Sequence, residues 1–468
     1  MSRRVVITGV GLVGALGVGR DAVWAGLCEG RSGLAKPTLF DASGFACQMA
    51  GEIRPDGAAA FSARDSVPKS YRKAVKVMAR DTEIAVAAAR LAALDAGLCT
   101  RGTLDGAPGT TTYPGDRVGC QIGAGLINAE TAELSEALAT ATDDKGTFDT
   151  WRWGTVATAS HPAGVGGMNN LQPLWMLKYL PNMLACHVTI IHGCEGPSNT
   201  ITCAEASGLL SIGEGVRVIE RGAADACFSG GAECKVNLMG TLRWTLQGQL
   251  RPCDDTHTPA SLVRPFDPES AGTVLGEGGG IVILEHEAGA RARNARVYAR
   301  VAGFAAAHAP PPGYEAIRAL QKPADDERPE DGMLYAMQAA LDDAGLTPDA
   351  IDAIVVSANG VPASDRAEAD AYRRLFGQRL ARIPLVTLAP SMGELVAGRG
   401  GMQVGVAALM LHEQRLPARL HGGNCPPDLL ANPASAGASA LRHVLVTTGS
   451  TGGQCAAAVL AHAGPAHV

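Results

Sequence analysis

The sequence lacks an excess of positive charge. Its 468 residues carry 40 Lys and Arg against 46 Asp and Glu, for a net charge of -6. This balance gives no sign of a basic footprint for nucleic acid or for an anionic membrane, and we expect neither as a partner. Charged residues are scarce, at 18%, whereas hydrophobic residues make up 46%. We therefore expect no long disordered stretches but extensive burial, including a large subunit interface.

Long apolar runs are missing as well. Gly, Pro or a charged residue interrupts each apolar stretch before about 18 residues, so no transmembrane helix is expected. Arg3 and Arg4 stand near the start, but Gly9 interrupts the apolar residues that follow before they reach the length of a secretory leader. We expect a cytoplasmic protein with no membrane partner.

Paired cysteine motifs are absent although the chain has 12 cysteines. The closest pairs are Cys227 with Cys234 and Cys186 with Cys194, and neither has C-x-x-C spacing. Zinc sites normally show such clustered pairs. The expectation is therefore scattered, reduced core thiols and no metal.

A nucleotide-binding loop is also poorly supported. Gly9, Gly11 and Gly14 follow an apolar segment, as in a dinucleotide site. However, no acidic residue closes a second strand about 20 residues later, as that motif requires. We expect no bound cofactor.

What the sequence does contain is strand–helix alternation in both halves. Strands are predicted at 4–11, 116–125, 187–191, 225–229, 351–357, 383–388 and 443–448, and helices at 21–28, 74–96, 129–138, 174–185, 205–221, 365–376 and 394–411. This strand–helix alternation predicts an α/β fold with parallel or mixed sheets covered by helices on both faces. We predict two similar halves, 1–290 and 291–468, with a surface or interface excursion at about 139–170.

Several ordered motifs support a family resemblance that spans nearly the whole chain. They are Val5–Gly11, Leu180–Met183, Gly196–Asn199, Gly208–Glu214, Asp225–Glu233, Arg264–Asp267, Val274–Gly278, Asp365–Ala369 and Gly452–Gly453. In these the chain resembles the β-ketoacyl-acyl-carrier-protein synthases (ketosynthases) of the thiolase superfamily. The resemblance implies a duplicated fold in five αβαβα layers, a dimer, and an acyl carrier protein whose phosphopantetheine arm enters as part of the substrate.

The active-site positions of that family are altered here. Between Gly196-Pro197 and Ser207-Gly208, the place of the family's nucleophilic Cys is taken by Glu205. The places of its two His residues are taken by Asn359 and Glu394.

Other altered positions lie near the C-terminus. The family's two gating phenylalanines there correspond to Gly449 and Thr451. Chain-length-factor subunits of type II polyketide systems also lack the Cys, although Gln typically replaces it. The chain is closest to them in character.

These replacements predict loss of condensation. A helix N-terminus should lower the pKa of Glu205 and weaken it as a nucleophile, and an acyl-Glu anhydride would be hydrolysed. Decarboxylation of a malonyl group needs donors where negative charge develops. Asn359 supplies one neutral donor, but Glu394 brings an anion. We expect a subunit that pairs with an active ketosynthase, or with itself when alone.

Alternatives remain at the same pocket. Glu205 could simply be a helix-start acid, or it could share a proton with Glu394 as a general acid or base. Cys203 lies two residues earlier and could replace the lost nucleophile. These residues would then support a thioester hydrolase or an acyltransferase.

The remaining candidates are peripheral. We interpret His187, His192 and His308 as structural. Scattered cations that could meet an acidic carrier protein are Lys178, Arg243, Arg251 and Arg264, and Trp151 and Trp153 mark either an interface or a loop anchor. The segment His187–Ile191 is the expected edge strand for pairing across a two-fold axis.

Overall fold

In each half of the chain, the first long strand is in close backbone contact with a helix. β1 (Val5–Gly14) is buried along its whole length. A Cβ at Gly11 would lie 2.0 Å from the carbonyl oxygen of Ala88, so α2 (Arg80–Asp95) touches the strand through backbone alone. In the second half a Cβ at Gly303 would lie 2.3 Å from the carbonyl oxygen of Ala340. The same constraint therefore positions a helix against the first long strand of both halves.

The computed structural model describes residues 3–54, 61–154, 159–160, 166–309, 331–420, 423–431 and 435–464. Its strands are β1 (Val5–Gly14), β2 (Gly17–Val18), β3 (Val118–Gly123), β4 (Ser198–Ile201), β5 (Ala226–Cys234), β6 (Glu277–His286), β7 (Ala299–His308), β8 (Ala353–Val355), β9 (Leu385–Val386), β10 (Arg415–Leu416), β11 (Gly437–Ala438), β12 (His443–Gly449) and β13 (Gln454–Ala461).

The α-helices are α1 (Arg20–Cys28), α2 (Arg80–Asp95), α3 (Arg101–Leu104), α4 (Thr131–Thr140), α5 (Thr150–Trp153), α6 (Trp175–Lys178), α7 (Met183–His192), α8 (Ser207–Glu220), α9 (Leu238–Leu246), α10 (Glu287–Ala292), α11 (Gly332–Ala344), α12 (Pro362–Phe376), α13 (Ala389–Met392) and α14 (Arg399–Glu413). Short 3-10 turns precede several of them, including Lys69–Val77, Ala204–Ala206 and Val396–Gly398.

The strand order repeats between the halves. The sheet runs β4-β3-β5-β6-β1 and then, through a short β1–β7 pairing, β7-β13-β12-β8-β9. The outer pairings are parallel in both halves, β3 with β4 and β5, and β8 with β9 and β12. The inner pairings are antiparallel in both. The predicted α/β fold with two similar halves is confirmed, and β4 occupies the place in its half that β9 occupies in the other.

Three apolar cores separate the layers. One lies between α2, α7 and the first set of strands, another surrounds α8 and α14, and a third joins α11 and α12 to the second set. The inner helices touch closely, since a Cβ at Gly400 would lie 2.1 Å from the amide nitrogen of Leu209. The layers therefore alternate as αβαβα.

One predicted strand is wrong. His187–Ile191 lies inside α7 instead of forming an edge strand. Its apolar, β-branched residues have helical spacing, because His187, Val188 and Ile191 are buried while Ile190 is 48% exposed. In this half the edge strand of the described sheet is β4, which pairs with β3, and β9 is the edge strand of the other half.

Several predicted boundaries also shift. The helix predicted at 394–411 begins at Arg399, after a 3-10 turn, and the short helix α13 precedes that turn. The helix predicted at 174–185 is divided between α6 and α7 around Pro181. The excursion at 139–170 contains α5, whereas its residues 155–158 and 161–165 lie outside the described part of the chain.

Membrane insertion finds no support in the helices. Across the part of the chain that the structure describes, none is long and apolar enough to span a bilayer.

Replacing Gly401 in α14 tests the close packing of an inner helix on the sheet. A Cβ there would lie 1.8 Å from the carbonyl oxygen of Gly280 in β6. Gly401→Ala should therefore lower the free energy of unfolding by about 2 kcal/mol or more, as overpacking does, in urea denaturation. Gly44→Ala is the control, since nothing lies within 4 Å of its added Cβ. Equal stability of the two variants would contradict the packing argument.

Candidate functional site

Three polar side chains follow strand ends near the middle of the molecule. Glu205 lies in the 3-10 turn between β4 and α8, and Glu394 lies between β9 and α14. Because β4 and β9 are equivalent strands, these two residues occupy equivalent places in the two halves. Asn359 follows β8, and all three are buried.

Glu205 is held by the C-terminal segment. The backbone N–H of Thr451 donates to Oε2 of Glu205 at 3.1 Å, and the Thr451 hydroxyl lies 3.4 Å from Oε1. The hydroxyl of Thr448 donates to the Glu205 carbonyl at 3.1 Å. Thr451 was one of the two residues predicted at the gating positions, and here it covers the carboxylate.

The pKa of Glu205 departs from the sequence-based expectation. Burial raises the pKa of this carboxyl above its usual range, and this outweighs the lowering by the positive charge of Arg399. The negative charge of Glu394 raises the pKa of Glu205 further. The predicted lowering by the helix N-terminus is therefore wrong, because loss of hydration dominates.

Glu394 is surrounded by donors. Its Oε1 accepts from the backbone N–H of Val396 at 2.7 Å and from Nε of Arg399 at 3.1 Å. Its Oε2 accepts from Nδ2 of Asn359 at 2.6 Å and from Nη2 of Arg399. The amide of Asn359 is thereby committed to Glu394. The pair of Arg399 and Glu394 is a buried, bidentate ion pair.

Arg399 connects the two halves of the site. Its guanidinium also donates through Nη1 to the hydroxyl of Ser357, which in turn accepts from the N–H of Gly449 at 3.3 Å. Its charge acts on both Glu205 and Glu394. Sequence reasoning missed this residue, although a lone Arg within the small and apolar run Ala397–Gly401 was an available signal.

Two further carboxyls hold the backbone on either side of Ala358. Asp365 accepts from the backbone N–H of Asn359 at 3.0 Å, and Glu368 accepts from that of Ser357 at 2.8 Å. Burial raises the pKa of Asp365 to about 6 and that of Glu368 to about 7. The motif that begins at Asp365 therefore fixes the turn after β8.

Backbone strain lies next to both carboxylates. Ala204 and Val396 adopt left-handed φ angles of 46° and 48°, which are unusual for residues with a Cβ. Ala397 follows, and its N–H donates to Glu233 at 2.8 Å. Such strain persists where the surroundings determine the conformation, and it is typical of functional sites.

The space beside these residues is small. A cavity of about 20 Å³ is lined by residues that include Ser357, Glu394, Arg399 and Gln403. That is room for about one water molecule, and Oε1 of Gln403 has no hydrogen-bond partner there. Small-molecule sites are typically larger than about 300 Å³. The cavity beside Glu394 therefore does not accommodate an acyl chain in this conformation.

The other proposed nucleophile is poorly activated. Cys203 is half-buried, and burial raises the pKa of its thiol. Its backbone N–H donates to the hydroxyl of Ser207 at 2.8 Å. A raised pKa disfavours the thiolate, which is the reactive form.

The candidate histidines lie elsewhere. His187 bonds the hydroxyl of Tyr71 at 2.8 Å, and His192 bonds that of Thr100 at the same distance. Burial lowers the pKa of His192 to about 3. His308 contacts the carbonyl of Gly452 at 3.2 Å.

The predicted surface candidates differ in whether their side chains are paired, packed or exposed. Lys178 pairs with Glu133 at 2.7 Å and Arg264 with Asp267 at 3.0 Å. Trp151 is 82% exposed. Trp153 packs against a neighbouring aromatic ring, as a loop anchor would.

A basic segment was missed by sequence reasoning. The 3-10 turn Lys69–Val77 exposes four cations, Lys69, Arg72, Lys73 and Lys76. Their spacing in the sequence was the available signal.

Within the described residues, no group of three or more His, Cys, Asp or Glu side chains is arranged to hold a metal.

Comparison with known proteins identifies the family. The model of the β-ketoacyl synthase N-terminal domain matches residues 2–290, and that of the C-terminal domain matches residues 319–422. The chain belongs to the β-ketoacyl synthase family. Its curated relatives include the 3-oxoacyl-[acyl-carrier-protein] synthase 2 of Staphylococcus aureus strain COL, 28% identical over 441 residues, with 92% of both chains covered. The Synechocystis protein of that description is 28% identical over 426 residues, covering 91% of this chain and 89% of its own.

Solved structures of ketosynthases have the same fold. The ishigamide ketosynthase/chain length factor matches with a TM-score of 0.76 at 26% identity, covering 99% of this chain and 100% of its own. A β-ketoacyl synthase from Burkholderia phymatum STM815 matches with a TM-score of 0.76 at 24% identity, covering 98% and 99%. The thiolase-like fold inferred from the sequence is thereby confirmed.

Neutralising the two carboxylates should have opposite effects on stability. The folded-state pKa of Glu205 is raised, so its ionisation begins to oppose folding as the pH rises through the unfolded pKa of about 4.3 and does so fully above the folded-state pKa. Glu205→Gln should therefore gain about 1 kcal/mol at pH 8 and nothing at pH 4. Glu394→Gln should lose about 3 kcal/mol at pH 8, because Arg399 loses its partner.

Urea denaturation at the two pH values measures both effects. Arg291→Met, which breaks an exposed pair with Glu287, is the control and should change stability by less than about 1 kcal/mol. A loss of stability in Glu205→Gln at pH 8 would show that its ionised form is stabilised by the fold.

Proposed function

We propose that this chain is a condensation-inactive ketosynthase-like subunit that acts in the cytoplasm in fatty-acid or polyketide synthesis. It pairs with an active β-ketoacyl synthase and shapes the acyl pocket, as a chain-length factor does. The observation that carries the proposal is the buried ion pair between Glu394 and Arg399, at the place of a family histidine.

The chemistry of the site supports inactivity. Condensation in this family needs a thiolate and donors that face the substrate. Here Glu205 replaces the thiol, and the donors of Asn359 and Arg399 are directed at Glu394. An enolate formed beside Glu394 would meet a fixed negative charge, which opposes its formation. The small cavity at this point also supports a closed site.

The open edge of the sheet supports pairing. β4 has β3 as its neighbour on one side, and Ser198 and Asn199 are exposed. An unpaired strand edge is stabilised by a strand from a partner. The similarity to a ketosynthase/chain length factor over 99% of the chain favours a ketosynthase as that partner. A homodimer is expected when this chain is expressed alone.

The exposed cations support contact with a carrier protein. Lys69, Arg72, Lys73 and Lys76 are all exposed on one short segment, and an acidic carrier protein is complementary to it. The phosphopantetheine arm would then enter as part of the substrate. We propose no cofactor of the chain itself.

A second function is favoured by one observation. The raised pKa values of Glu205, Asp365 and Glu368 are typical of acid–base sites, which would fit a thioester hydrolase or an acyltransferase. The raised pKa of Cys203 argues against that residue as its nucleophile. Release of a free acid from an acyl-carrier-protein by the purified chain would favour this function.

The purified chain should not condense malonyl- and acyl-carrier-protein. Glu205→Cys alone should not restore turnover, because Glu394 still opposes the enolate. Product formation followed by mass spectrometry measures both, with an active ketosynthase as the positive control. Turnover by the single variant would show that the charge of Glu394 does not block decarboxylation.

The subunit should form a stable complex with its cognate ketosynthase. An interface of the obligate kind buries over about 2,000 Å² in total. Size-exclusion chromatography with light scattering of the co-expressed pair should therefore give a heterodimer. The backbone groups of Pro197 and Ile201 face β3, so by strand alternation the N–H of Ser198 faces the open edge. Ser198→Pro removes this edge donor and should weaken pairing, whereas Asp144→Pro, in an exposed turn remote in sequence from β4, should not. A chain that stays monomeric and does not bind the ketosynthase would refute the proposal.

A further inference from the structure

Two buried cysteines lie side by side on paired backbone segments, apart from the carboxylate site. Cys47 and Cys253 are partners in a parallel bridge. The N–H of Gln48 donates to the Cys253 carbonyl at 2.7 Å, and the N–H of Cys253 donates to the Ala46 carbonyl at 2.9 Å. The two sulfur atoms are 3.7 Å apart.

This geometry suits a disulfide. Neighbouring paired strands lie about 4.8 Å apart, which is within the Cα separation of about 4.4–6.8 Å that disulfides span. Bringing the sulfurs from 3.7 Å to a bond of about 2.05 Å requires side-chain rotation and little movement of the backbone.

The two thiols are unequal in acidity. The Cys47 thiol, directed at the sulfur of Cys253, lowers the pKa of Cys253 to about 7, and backbone N–H groups and Arg251 add to this lowering against burial. The pKa of Cys47 is raised well above its usual range by the same contact and by burial. One sulfur is therefore suited to react first and the other to resolve the product.

We propose that Cys47 and Cys253 are a redox-active dithiol that closes to a disulfide when a peroxide oxidises the protein. The Cys253 thiolate attacks hydrogen peroxide, its sulfur gains an oxygen, and hydroxide leaves and takes up a proton to become water. The Cys47 sulfur then displaces that oxygen as a second water. Two thiols and one peroxide give one disulfide and two waters.

The dithiol is connected to the candidate site through backbone. Leu250 pairs with Thr273, and Leu275 pairs with Glu394. Gly51 pairs with Gly276 beside them. The backbone partner of Glu394 is Leu275, and the segments that end at Gly51 and begin at Leu250 pair with residues on either side of it. A bond between Cys47 and Cys253 would therefore link these two segments covalently. The inference does not depend on the proposed function.

Peptide mapping of the intact protein tests the proposal. The reduced protein is treated with hydrogen peroxide, denatured, blocked with iodoacetamide and digested without reductant. A cross-linked peptide that joins Cys47 to Cys253, two hydrogens lighter than its parts, is expected. The oxidised protein should also unfold at a midpoint about 3 °C higher, since the bond closes a long loop.

Two cysteine variants and the exposed thiol of Cys99 serve as controls for the cross-link. Cys47→Ala should abolish the cross-link and the shift of the midpoint. Cys234→Ala, which removes another buried thiol, should retain both. If the exposed Cys99 is oxidised while Cys47 and Cys253 are still alkylated after denaturation, or if Cys253 is joined to another cysteine, the proposal is overturned.

Discussion

The contact between the two inner helices is the constraint on which the site depends. Gly208 and Gly400 bring α8 and α14 together at backbone distance, a separation that larger residues would prevent. Because each helix follows an equivalent strand, their N-termini meet near the centre of the molecule. Glu205 and Glu394 stand just before those N-termini, so both come under the charge of Arg399.

Electrostatics then determines what this centre can do. A single guanidinium is in direct contact with Glu394 and acts at longer range on Glu205. Glu394 accepts hydrogen bonds at both carboxylate oxygens. For Glu205, the loss of hydration outweighs the favourable contacts that it makes. The centre therefore contains one carboxylate in a direct ion pair and one whose ionised form is disfavoured by burial. An arrangement of this kind holds the fold together and leaves few groups free to act on a substrate.

The sequence predicted more of the fold than of the electrostatics. Strand–helix alternation and ordered motifs indicated the two similar halves, because short glycine-rich turns and apolar periods are local signals. The segment His187–Ile191 was misassigned, since a short β-branched run fits a strand and a buried helix equally. The importance of Arg399 and the pKa of Glu205 depend on residues from both halves, and such long-range contacts leave no local pattern.

The ion pair in the centre makes substitutions at this site interdependent. Removing Arg399 first would leave two buried carboxylates without their cation, and removing Glu394 first would leave a buried cation without its partner. Each single substitution in the pair therefore passes through a less stable protein. Selection that alters this centre would have to change both residues of the pair together.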